Sequence, residues 1–233
     1  MLPESGFLPP FRGRYQTVYG HDIYGADDFP NQLIRKTDYS TFHQLRKDIT
    51  AYSTVKKCHQ ELQDQYGISV PNYNLVIGQD PLDQGPSLYV VVQKVNGVSL
   101  FTKEHGPSGE EVNDLMCTLI QYYTDKYLNG GDVLSDICSV TAEGRSQFMF
   151  GRLNGEERNR FFLVDIDPFV GEGEPRQLCS PVISALLDLP KVLEEASDFY
   201  GETNFQKAFS LLREFKALTH DQLQDWIREE NSE

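Results

Sequence analysis

Basic charge is scarce in this chain. Lys and Arg number 21 against 35 for Asp and Glu, a formal charge of −14. Such a surface repels polyanions, which excludes nucleic acid and anionic membrane as general partners, although a local basic pocket can still take a small phosphate ligand. Cysteine is sparse too. Cys58, Cys117, Cys138 and Cys179 form no C-x-x-C pair and no zinc spacing with histidine. Cys58 and Cys117 fall on or beside apolar helical stripes, as buried free thiols do. No apolar stretch approaches the ~20 residues of a membrane span. The opening MLPESGFLPPF has neither the basic region nor the apolar run of a signal peptide, so a soluble cytoplasmic protein is expected. The five histidines are scattered without an H-E-x-x-H pair, and there is no G-x-S-x-G elbow and no Walker loop.

Apolar and aromatic residues are plentiful. Hydrophobic residues make up 39% of the 233, with 12 Tyr and 14 Phe. That is a globular composition, long enough for one large domain or two packed lobes.

Residues 11 to 36 read as β, with RYQTVYG, a turn YGADDFPN, and QLIRK. A long helix follows over 42–65. Thr41 and Gln44 form a capping box, and Phe42, Leu45, Ile49, Tyr52, Val55, Cys58 and Leu62 recur every three or four residues up to Gly67. VPNYNLVIG and SLYVVVQKV are strand candidates. Ser108 and Glu111 open a second helix with Val112, Leu115, Met116, Leu119, Ile120, Tyr123 and Tyr127 on its apolar face, ended by Gly130-Gly131. A loop, DVLSDICSVTAEGRS, leads to a β-hairpin over 147–167. The remainder reads as helical: one helix starts at Ser180-Pro181 and is interrupted by Pro190, another spans Phe205 to Leu218, and a short one is opened by Thr219 and Gln222. Tyr122-Tyr123 reads as packing.

The hairpin's second strand, RFFLVDIDPF, raises a chemical question. Phe161 to Val164 and Ile166 suit a buried strand, yet Asp165 interrupts them, and desolvating an uncompensated carboxylate costs several kcal/mol. A turn or cap aspartate is one answer. A ligand is the other.

The order of these elements resembles the protein-kinase-like fold over roughly residues 10 to 170. The resemblance implies an α+β fold of two lobes. Residues 1–95 would form an antiparallel sheet with the helix 42–65 packed on it, and 96–233 a mainly helical lobe, joined at QKVNGVSL. In QLIRK, Lys36 or, one residue over, Arg35 would meet nucleotide phosphates; Asp48 would stand for the helix acid that orients this cation, within ion-pair reach along with Asp165. The backbone of Gln93 to Val95 would hold adenine, and Gly13 would remain from the phosphate-covering loop. Asp165 would answer to the metal-binding aspartate of the Asp-Phe-Gly motif, with Gln147 or Asp167 as second Mg²⁺ ligand and Asp136 as the base that accepts the substrate proton. The second acid, Asp167, looks nearer to the small-molecule (aminoglycoside-type) kinases than to standard protein kinases.

The match is degenerate. FRGRYQTVYG keeps Gly13 alone where several glycines belong, and Thr141 stands five residues after Asp136 where the family has Asn. Only 68 residues follow Asp165, too few for a protein-substrate platform. Two expectations follow: an atypical phosphotransferase using ATP and Mg²⁺ on an unidentified small molecule, or a pseudokinase that binds nucleotide or a protein partner without catalysis.

Overall fold

The computed structural model describes residues 14–18, 21–25, 31–78, 85–138, 147–166 and 169–230; Gly13, Thr141 and Asp167 lie outside them. The arrangement is α+β and divides into two compact units. The first comprises Met1–Ser53, Pro71–Asn96 and Arg152–Arg158, the second Thr54–Val70, Gly97–Gly151 and Asn159–Glu233.

In the first unit, strands β1 (Arg14–Val18), β2 (His21–Gly25) and β3 (Gln32–Asp38) precede helix α1 (Phe42–Tyr66), and β4 (Tyr73–Gly78) and β5 (Ser87–Gln93) follow it. All five strands pair antiparallel, in the order β1-β2-β3-β5-β4. Strand β5, SLYVVVQ, suits its internal place between β3 and β4 by being apolar on both faces: Leu88, Tyr89 and Val90 are all buried. The start of α1 shows half of the expected capping box: the Gln44 amide donates to Thr41 Oγ1 at 3.3 Å, whereas the Gln44 side chain accepts the Ser40 hydroxyl at 2.7 Å. Leu45, Tyr52, Val55, Cys58 and Leu62 are buried, whereas Phe42 is 71% exposed. Gly67, at φ +68, ends the helix.

The division between units passes through α1, which the sequence reading gave entirely to the first lobe. The reason is its partners. Helix α2 (Gly109–Asn129) takes Glu61 onto Lys126 Nζ at 2.6 Å, and its Asp125 accepts the Tyr66 hydroxyl at 3.0 Å. Ser108 caps α2 with a complete capping box. Ser108→Ala is expected to cost about 0.5–2 kcal/mol in denaturant unfolding.

Three short strands in the second unit were not expected: β6 (Asn96–Ser99), whose first residue belongs to the first unit, β7 (Gly131–Leu134) within the supposed loop, and β10 (Val170–Gly173) within the supposed helical remainder. The hairpin forms as β8 (Phe148–Arg152) and β9 (Arg160–Leu163) in a sheet ordered β6-β8-β9, while β7 pairs with β10. Helix α3 (Ser180–Tyr200) runs through Pro190, contrary to the expected break. An internal proline costs about 3 kcal/mol, but Leu186, Leu189, Val192, Leu193 and Ala196 are buried on either side of it, and their burial outweighs the loss. Its N-cap is Cys179, not Ser180. Helix α4 (Gln206–Glu230) is likewise continuous where two helices were expected. Thr219 opens nothing; its hydroxyl bonds back to the Phe215 carbonyl at 3.0 Å. Among the described residues, no helix is long and apolar enough to cross a membrane.

Candidate functional site

The first unit carries the cationic candidates. Successive residues of β3 face opposite sides of the sheet, so Arg35 and Lys36 cannot share a role. Register fixes them opposite Val90 and Tyr89 of β5. Arg35 reaches the α1 side, where its guanidinium donates to the Tyr52 hydroxyl at 2.5 Å. On the same side the Tyr39 hydroxyl donates to Asp48 Oδ2 at 2.6 Å. Burial pushes the Tyr39 phenol far above its ordinary pKa, and the Asp48 carboxylate adds to the shift, with Arg35 opposing it. Arg35, Tyr39, Asp48 and Tyr52 therefore form one electrostatic group. Lys36 instead pairs along its own strand with Asp38 at 3.1 Å, and Asp38 also accepts from Ser87 Oγ at 2.6 Å. Of the two alternatives, Arg35 is the cation on the side of Asp48.

At the end of β5, the Gln93 amide donates to the Asn72 carbonyl and the Lys94 amide to the Asn31 carbonyl, both at 2.8 Å. The Val95 side chain is buried.

The acidic candidates belong to the second unit, where strand pairing sets their positions. In the hairpin Phe148 pairs with Leu163, and the Val164 amide donates to the Gln147 carbonyl at 2.9 Å. Gln147 is thus paired with Val164, the residue before Asp165, at the open end of the hairpin, and strand alternation puts the Gln147 side chain on the Val164 face. Phe162 and Leu163 are fully buried, and the Leu163 amide is taken by Ser69 at 2.9 Å. Asp165 itself is only half-buried. This partial exposure lowers the desolvation cost that its sequence position suggests.

A second clamp ties in Asp136. Leu134 of β7 pairs with Val170 of β10, and the Ser135 amide donates to the Phe169 carbonyl at 3.1 Å. Asp136 follows, exposed and at φ +60, in the left-handed region that Asp tolerates better than most residues. Phe169 stands four residues after Asp165 in the chain. The β8–β9 pairing thus sets Gln147 against Val164, beside Asp165, and the β7–β10 pairing sets Ser135, beside Asp136, against Phe169.

The feature the sequence reading missed is Tyr122-Tyr123. Both rings are buried, and their hydroxyls grip a single residue. Tyr122 accepts the Leu134 amide at 3.0 Å and Tyr123 donates to the Leu134 carbonyl at 2.9 Å. The signal was available: a buried tyrosine, unlike phenylalanine, has a hydroxyl that needs a partner.

Asp165 and Gln147 offer only oxygen donors, the kind Mg²⁺ prefers. Mg²⁺ commonly uses one or two carboxylates and completes its shell with water and phosphate oxygens. Among the described residues no cluster of three or more His, Cys, Asp or Glu could hold a metal; a site of this kind would depend on the nucleotide. The chain matches no protein-family model, and no curated protein matches it.

Proposed function

We propose that this chain is an atypical phosphotransferase of the two-lobed, kinase-like type, acting with ATP and Mg²⁺ on a small molecule. What supports this reading is that the β8–β9 pairing sets Gln147 opposite Val164, next to Asp165, and the β7–β10 pairing sets Ser135, next to Asp136, opposite Phe169, four residues after Asp165. Asp165, with Gln147 or Asp167 as second ligand, would hold the metal, which when bound would neutralise charge on the phosphate oxygens. Asp136 takes the proton of the attacking hydroxyl. Arg35 holds phosphate through its planar fork, Asp48 supports the electrostatic group around it, and the backbone from Gln93 to Val95 receives the adenine.

A specific observation favours a second reading, a pseudokinase that binds without catalysis. The cation on the α1 side is an arginine already engaged by Tyr52, and Asp48 is engaged by Tyr39. Calorimetric titration with ATP, with and without Mg²⁺, separates these readings when combined with Asp136→Asn. An enzyme is expected to lose phosphate transfer in this variant and keep its nucleotide affinity. A pseudokinase binds ATP and is unchanged by the substitution. Flat titrations of the wild type with every metal would rule out both nucleotide readings.

A further inference from the structure

We propose that the cleft between helices α3 and α4 is a binding site for a small zwitterion with an apolar body, of the size of a dipeptide. The site lies within the second unit and does not depend on the nucleotide reading. The cleft has a volume of about 380 Å³, in the range of small-ligand sites. Residues 201–205 alone separate the two helices. Pro190, ten residues before the end of α3, and Lys216, ten residues after the start of α4, line the same cleft, so the helices fold back along one another. At a rise of about 1.5 Å per residue, the cleft extends about 15 Å from the turn to its far end.

Sequence spacing builds the walls. Gln206, Phe209, Arg213 and Lys216 follow one another at three or four residues and share one face of α4, as Pro190 and Glu194 share one of α3. Pro190 and Phe209 are half-buried and Leu212 is buried, which gives the cleft an apolar lining. The charges are sorted along its length. Glu202 stands at the turn, and Lys216 marks the far end. Glu194 and Arg213 lie midway, six residues before the end of α3 and seven after the start of α4. Two acids and two bases thus line a cleft in a chain that has 35 acids and 21 bases overall. Among the described residues, none of these four charges takes part in an ion pair, so both signs stay available to a ligand. A simple cation would satisfy only the acids, and a simple anion only the bases. An ammonium group toward Glu202 and a carboxylate toward Arg213 and Lys216 satisfy both, while an apolar body covers Pro190, Phe209 and Leu212. The charged ends of a dipeptide lie about 7 Å apart, a span that the cleft holds with room for the long side chains to reach inward.

Titration calorimetry of the full chain with leucyl-phenylalanine, at two temperatures, tests the site. The same dipeptide with its amine acetylated or its carboxylate amidated serves as comparison. The free dipeptide should bind saturably, and either cap should weaken binding by about three- to tenfold, the loss of one charge-assisted contact. Glu202, Arg213 and Lys216 are exposed, so replacing them leaves the packed core untouched. With Arg213→Gln and Lys216→Gln together, the amidated dipeptide should bind as well as the free one. With Glu202→Gln, the acetylated dipeptide should match the free one. Flat wild-type titrations at both temperatures overturn the proposal. Binding that ignores both caps reveals apolar adhesion alone and overturns it too. So does a preference for free ends that survives in both variants, because the dipeptide then binds elsewhere.

Discussion

Replacing Asp165 by asparagine is expected to abolish Mg²⁺-dependent ATP binding while leaving the protein folded. The amide has the shape of the carboxylate but no charge to offer a hard cation. Loss of a partner one layer behind a metal ligand already costs about 10- to 100-fold in affinity, so loss of the ligand itself should exceed about 100-fold. Stability should change little or rise slightly, because Asp167 stands two residues away and removing one of two like charges relieves repulsion. The partial exposure of Asp165, beside the buried Leu163 and Ile166, fits this expectation. Calorimetry with and without Mg²⁺, alongside thermal melts, gives both readouts. A variant that binds ATP·Mg²⁺ like the wild type removes Asp165 from the metal site. A variant that loses about 0.5–2 kcal/mol of stability, beside flat wild-type titrations, identifies a structural cap.

Acidification is expected to destabilise the fold through His59. This α1 residue is 3% exposed, and burial lowers its pKa to about 4 from the usual 6.5. Between those values the unfolded chain binds a proton that the folded chain refuses, so stability falls as pH falls. The contribution is fully present above about pH 6.5 and lost by about pH 4. At about 1.4 kcal/mol per pKa unit, the loss amounts to about 3 kcal/mol, a large part of a typical domain's stability. Urea unfolding at pH 7, 5.5 and 4.5 measures it. His59→Gln cannot take up this proton, so the wild type should lose stability more steeply than the variant. Equal slopes would show that His59 titrates normally in the folded protein.

Elements that carry their own signal were legible in the sequence. Helices α1 and α2 announce themselves by apolar spacing and by Thr41 and Ser108 as caps, and β3, β5 and the β8–β9 hairpin by apolar runs bounded by turns. The short strands NGVS, GDVL and VGEG carry no such signal. They hold little apolar periodicity, and their extended form depends on hydrogen bonds from partners far away in sequence. Pro190 and Thr219 misled for the opposite reason: local breaking and capping chemistry is weak beside the burial of a long apolar face. The place of Asp165 just past an apolar strand was legible in RFFLVDIDPF, whereas Asp136 was named by the resemblance alone. The choice between Lys36 and Arg35 was not legible, since one strand does not reveal which face its neighbours cover. It took the pairing of β3 with β5 and the Arg35 bond to Tyr52 to separate them.

Pairing β7 with β10 closes a loop that runs from Gly131 to Gly173 and contains the whole β8–β9 hairpin. The inner turn, from Gly151 to Arg160, is far shorter, and closure entropy rises with loop length. Folding that begins with local contacts therefore zips the hairpin first and shortens the effective span that the outer pair must close. Joining the segments of Asp136 and Asp165 is then a late event on the folding route. By the same ordering the outer pair is the first to open in the native state. Amide exchange at Val133 and Gly171 should outpace exchange at Met149 and Phe162.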